Sequence, residues 1–174
     1  MNARQTFVRF VVTGCLAASV AIFLPTTGRA QDAKLQAAME LLKSKAAKQG
    51  PPTIEGTDTV AGKQVPAIYF GSTKIDNNFD LVDEVVKQVG GTATIFVKSG
   101  EEYVRVSTNV KTADGTRAVG TILDPKGKVI GSINKNEPFH GDVDILGKPY
   151  VTEYEPIYNQ SHDVIGIYYV GYPK

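Results

Sequence analysis

Two arginines carry the chemistry worth placing. Arg105 sits inside the run Glu102–Val110 (EYVRVSTNV), and Arg117 follows the pair Asp114-Gly115. A guanidinium in mid-strand between apolar neighbours has two fates. It lies on a solvated face, where Glu102 or Glu153 would pair with it, or it points into a pocket that holds an anion. Two guanidiniums aimed into one concave site would grip a carboxylate through bidentate, charge-assisted bonds. Asp-Gly is a strong hairpin signal, and a hairpin there would stand Arg105 and Arg117 close to opposite each other. Tyr103, Tyr150 and Tyr154 offer rings to wall such a pocket and hydroxyls to orient its contents. The competing reading makes each of them an ordinary core or surface aromatic. Thr108 and Asn109 would bond a ligand or satisfy strand ends. His140, next to Phe139 near a strand start, is expected at the pocket mouth, and His162 in an exposed turn.

Other chemistry has little support. The sequence has no G-x-S-x-G, H-E-x-x-H or P-loop run. Its two histidines are not at metal-ligand spacing, and its single Cys excludes a Cys-cluster zinc site. No metal and no cofactor is expected. Asp80, Asp83 and Glu84 crowd a helix start, where acids suit the positive end of the helix dipole; an acidic metal site is the minor alternative. Ser107 with His140 and an acid is a trio that many chains offer by chance, so an enzyme is not expected.

These residues need elements to hold them. Thr92–Lys98 is rich in the β-branched and aromatic residues that suit a pleated surface. In Glu102–Val110 the side chains alternate, with Val104, Val106, Thr108 and Val110 on one face and Tyr103, Arg105, Ser107 and Asn109 on the other. Arg117–Leu123 is expected to return antiparallel as a third strand. Upstream, Gln31–Gln49 places Leu35, Ala38, Met39, Leu42 and Ala46 at helical spacing, with Asp32 as N-cap and Gly50-Pro51-Pro52 as the stop. Lys34, Lys43, Lys45 and Lys48 form its solvated face. Thr53–Asp76 reads as loop with short extended pieces. Val65–Phe70 is its best strand, placed at an edge by Pro66. Asn77-Asn78 would cap a second helix, Phe79–Val89, ended by Gly90-Gly91. A short helix at Lys128–Asn136 is followed by extended Phe139–Asp144 and a long strand, Tyr150–Tyr158, whose Tyr150, Thr152, Tyr154 and Pro156 share a face. Val164–Tyr172 is almost wholly apolar and predicts a central strand covered on both sides. Consecutive strands joined by tight turns, with helices packed on them, predict an α+β fold.

Length and charge bound the rest. The chain has 174 residues, which favours one domain, and a formal net charge of +1. Arg4, Arg9 and Arg29 account for three of its 19 basic groups, so the remainder is slightly acidic and no nucleic acid partner is expected. Arg4 and Arg9, the apolar run Phe10–Leu24 and Gly28-Arg29-Ala30 together read as an export signal cut after Ala30. Residues 1–30 are thus expected to be a signal peptide and 31–174 a single periplasmic domain. An uncleaved N-terminal anchor is the alternative, and lipidation at Cys15 a weaker one.

Three stretches, TVAGKQVPAIYFG, NFDLVDEVVKQVGGTATIFVKSGEEYVRVSTNVKTADGTRAVGTIL and KPYVTEYEPIYNQSHDVIGIYYVGYP, taken in order, resemble the Cache 3/Cache 2 fusion family. The resemblance spans Thr57–Pro173. It implies a PAS-like sheet of about five strands, with the long first helix on one face and a small-ligand pocket on the other. It also implies a sensor domain outside the membrane for small metabolites, often carboxylates, of the kind found on chemoreceptors and sensor kinases. As read, the chain carries no output domain, so signalling or chemotaxis would run through a partner, a membrane receptor or sensor kinase. The rival readings are a ligand-free interaction module that pairs with its copy through the first helix, and, less favoured, a hydrolase or isomerase.

Overall fold

The computed structural model describes residues 27–174; the expected apolar export segment and Cys15 lie outside the described residues. The chain opens with helix α1, Thr27–Gln49. Its stripe Leu35, Ala38, Met39, Leu42 and Ala46 recurs every three or four residues, and every member is buried within the chain. Burying each large side chain of the stripe stabilises the fold by about 1.5–3 kcal/mol. Because α1 starts at Thr27, Asp32 is not its cap but lies inside it, and the expected cut after Ala30 falls in its first turns. The helix stops where Gly50 and the prolines follow. There its last residue meets the turn at Gly71 so closely that a Cβ on Gly71 would lie 2.1 Å from the Gln49 carbonyl oxygen.

The stretch expected to be loop is instead a three-stranded antiparallel sheet, β1 Pro52–Val60, β2 Lys63–Phe70 and β3 Thr73–Lys74. Pro66 therefore stands in the middle strand, not at an edge. Two features make room for its missing N–H. Its partner Thr57 follows an irregularity in β1, and β3 is so short that it pairs only with Tyr69 and Phe70. Helix α2, Asp80–Val89, then buries Leu81, Val82 and Val85. The Asn78 side chain accepts the Asp80 N–H at 3.1 Å, and Gly90 closes the helix by donating to the Val86 carbonyl.

Five further strands form the main sheet: β4 Thr92–Ser99, β5 Glu102–Thr108, β6 Phe139–Ile145, β7 Lys148–Tyr158 and β8 Val164–Pro173. Their spatial order is β5-β4-β8-β7-β6, antiparallel throughout. The apolar β8 is thus central, between β4 and β7, as its composition predicts. One face of this sheet, with Ala93, Ile95, Val97, Val104 and Val151, packs against α1, α2 and the small sheet. The other face carries Phe96, Tyr103, Tyr154, Ile167 and Tyr169. It is covered by Val110, Ala118 and Leu123 and by the short helix α3, Lys128–Ile133, which inserts Val129 and Ile133. The fold is α+β, with the long helix on one side of an antiparallel five-stranded sheet.

The expected third strand at Arg117–Leu123 does not form. Only isolated bridges join it to its neighbours, Val104 to Ile122 and Lys111 to Arg117. It still runs along the β5 edge, with Arg105 N–H donating to the Thr121 carbonyl and Leu123 N–H to the Tyr103 carbonyl. Arg117 therefore stands opposite Lys111, not opposite Arg105. Among the described residues no helix is long and apolar enough to cross a membrane.

Candidate functional site

β5 places Arg105 on the face away from α1. Arg105 is only 4% exposed. Its guanidinium lies 5.0 Å from the ring centre of Phe96, the residue paired with it on β4. Nη1 donates to Thr121 Oγ1 at 2.6 Å, while Nε is buried with no hydrogen-bond partner. Among the described residues no carboxylate lies within ion-pair distance of it. Burial pushes the guanidinium below its ordinary pKa. Neither Glu102 nor Glu153 pairs with it, so the solvated-face alternative fails for Arg105.

Tyr154 reaches the same place from β7. It is fully buried, its ring centre stands 4.8 Å from that of Tyr169 and 6.5 Å from that of Phe96, and its hydroxyl has no partner. Burial raises the Tyr154 hydroxyl far above its usual range, so it remains a neutral donor. Arg105 and Tyr154 line one half-open cavity of about 170 Å³, together with Ile122, Leu123, Val143, Ile145, Leu146 and the exposed acids Asp124 and Asp144. A second hollow of about 280 Å³ shares Leu123, Asp124, Val143 and Asp144 with it and extends towards α3. The walls are largely aliphatic, the buried polar groups are one cation and one phenol, and the exposed carboxylates Asp124 and Asp144 stand at the rim. A buried charge without a counter-charge costs several kcal/mol, which an anion beside Arg105 would offset.

The other predicted residues fall in three groups. Tyr103 and Tyr150 are on the same face, Tyr103 buried in the second cluster and Tyr150 packed against it. Thr108 is buried, but its hydroxyl is spent on Thr94 Oγ1 at 2.7 Å, and Asn109 likewise accepts the Ala93 N–H. Arg117 and His140 do not join the cavity. Arg117 turns to the opposite face and makes a bidentate pair with Asp83 of α2, at 2.8 and 2.7 Å. His140 alternates away from Phe139 and meets Asp32 of α1 at 3.0 Å. An edge strand whose neighbour Phe139 points inward must point His140 outward.

Sequence reasoning missed Thr121, Leu123, Val143 and Ile145. The first two lie in a segment expected to be regular strand, and the last two are plain aliphatics on an edge strand whose polar residues, His140, Asp142 and Asp144, alternate with them. Ser107 and His140 cannot meet, because β5 and β6 are opposite edges of the sheet. The Ser107 hydroxyl donates to the Asn78 carbonyl at 2.5 Å. Two of the three acids at the start of α2 are ion-paired, Asp83 with Arg117 and Glu84 with Lys45. The described residues hold no cluster of three or more His, Cys, Asp or Glu that would bind a metal.

An antiparallel sheet with a long helix on one face and a cavity on the other is the architecture that the resemblance implies. Residues 14–174 match the Cache 3/Cache 2 fusion domain, and the chain belongs to that family. Cache domains are extracytoplasmic sensors of small molecules. No curated protein matches the sequence.

Proposed function

We propose that this domain is exported to the periplasm and captures a small carboxylate, with Arg105 as anchor and Tyr154 as the second donor. The reading rests on one observation above all: a guanidinium 4% exposed, without a carboxylate partner among the described residues, on the wall of a cavity. A carboxylate there would take a charge-assisted bond from Arg105 Nε and another from the Tyr154 hydroxyl, and would satisfy both buried donors at once. Because the wall supplies a single buried cation, and Asp124 and Asp144 at the rim would repel a second negative charge, a monoanion with a compact apolar body fits better than a dianion. Occupancy would then be passed to a membrane receptor or sensor kinase, which requires that the ligand bind two states of the domain unequally.

A thermal-shift screen of small mono- and dicarboxylates tests the proposal. A ligand at roughly 100 times its dissociation constant stabilises by about 2.7 kcal/mol. The expected result is a shift with a monocarboxylate that disappears in Arg105→Ala. An undiminished shift in that variant removes Arg105 as anchor, and no shift with any carboxylate removes the function. The rival module that pairs through the stripe of α1 loses support, since Leu35, Met39 and Leu42 are already covered within one chain.

A further inference from the structure

We propose that Thr121 and Arg117 are positioning residues that couple the Arg105 site on one face of the sheet to α2 on the other. The inference rests on the anion-site reading above and concerns how that site is held and felt elsewhere.

Thr121 is bonded in both senses. Its Oγ1 accepts from Arg105 Nη1 at 2.6 Å and donates to the Ala118 carbonyl at 2.7 Å. The backbone is locked as well, with Arg105 N–H on the Thr121 carbonyl at 2.9 Å and Gly120 N–H on the Arg105 carbonyl at 2.8 Å. The hydroxyl therefore has one orientation, and it aims the guanidinium along the cavity wall. A carboxylate that draws the guanidinium towards Tyr154 must loosen the Thr121 bond or pull Thr121 with it.

The next link begins one residue before Ala118. Arg117 reaches round the β5 edge and holds α2 at two points. Nη1 and Nη2 take the two oxygens of Asp83, and the guanidinium stacks 4.4 Å from the ring centre of Phe79, the residue that caps α2. The same Nη1 donates to the Thr108 carbonyl at 2.7 Å, which fixes the end of β5. Asp83 N–H in turn donates to the Phe79 carbonyl, so the guanidinium grips both sides of the first helical turn. The neighbouring Glu84 pairs with Lys45 of α1 at 2.7 Å. A chain of directional bonds thus joins Arg105, Thr121, Ala118, Arg117 and Asp83. A chain of this kind carries coupling only if changing one link is felt at the others.

Amide hydrogen exchange in the chain as it exists tests this. In Thr121→Val, which keeps the shape and removes the hydroxyl, the first turns of α2 should exchange faster by about fivefold, in the range seen for mutations along coupled networks. β7 and β8 should keep their wild-type rates. Thr121→Ser should restore the slow exchange. Arg117→Met, or Asp83→Asn if that variant folds poorly, should accelerate α2 as well. Adding Thr121→Val to either should have little further effect, because the links act in series. Wild-type α2 rates in Thr121→Val, failed rescue by Ser, or effects that simply add would overturn the proposal. Sodium acetate serves as the probe in a second arm: it should change α2 exchange in the wild type and leave that of Asp83→Asn unaltered. If acetate and the other carboxylates leave the wild type untouched, the anion site fails, while the ligand-free arm still decides the coupling.

Discussion

Arg105→Met offers the sharpest test of whether Arg105 is kept for a ligand or for the fold. In the ligand-free protein the guanidinium is almost wholly buried without an ion pair. The effective penalty for such a charge is several kcal/mol, say about 5. Against this stand one charge-assisted bond to Thr121, about 2 kcal/mol, and stacking over Phe96, about 1 kcal/mol. The balance leaves Arg105 destabilising by about 2 kcal/mol. Met keeps the apolar stem and removes the charge, so Arg105→Met should be more stable by about that amount. For a domain of this size that corresponds to roughly 4–8 °C in Tm. Urea melts should show a higher midpoint with an unchanged slope, the signature of altered stability rather than altered compactness. The same variant should lose its response to carboxylates. Stability exchanged for binding is the mark of a functional site. If Arg105→Met instead unfolds more easily by 3 kcal/mol or more, as when a partner is cut from a satisfied buried pair, Arg105 is a structural residue and the reasoning fails.

Three further outcomes follow from the same geometry. Asp76 is buried beside Ile68, whose N–H its Oδ2 accepts at 2.8 Å, and its pKa is raised to about 6 by desolvation, with Asp58 adding to the rise and Lys74 opposing it. A folded pKa above the unfolded one stabilises at low pH and loses that contribution as pH rises through about 6. The wild type should therefore lose up to about 3 kcal/mol relative to Asp76→Asn between pH 4 and pH 7.5, read from paired urea melts; parallel pH profiles would refute it. Thr108→Val leaves Thr94 Oγ1 without its buried partner, so it should cost about 1–2 kcal/mol while leaving carboxylate affinity unchanged; weakened binding would return Thr108 to the site. Leu42→Ala should cost about 2–5 kcal/mol through the cavity it opens under α1, with no change in oligomeric state by light scattering; loss of a dimer would revive the pairing reading.

Local pattern carried the reading where local pattern suffices. The spacing of Leu35, Ala38, Met39, Leu42 and Ala46 marked the buried side of α1, and the unbroken apolar run of β8 marked the centre of the sheet, because burial follows the period of the element. The alternation that put Tyr103 and Arg105 together held as far as the irregularity between Ile95 and Phe96. Past it Ser107 swings to Asn78 on the α2 side, since one extra residue reverses every side chain beyond it. The first sheet escaped notice because β1 is polar on its open side and Pro66 argued against a middle strand; only the two-residue length of β3 makes that proline tolerable.

The amino-acid order by itself determined the class of fold, the helix and strand most deeply buried, and the choice of Arg105 as the charge to watch. It also carried the family, whose domain matches residues 14–174. Tertiary structure alone decided which guanidinium is free. Arg105 and Arg117 are the same side chain on neighbouring segments. One is enclosed without a carboxylate, and the other is spent on Asp83, 34 positions away in sequence. Spacing along a chain says which groups share a face over a few residues. The partner of a charge is set by which elements fold against it, and that is a property of the packed molecule.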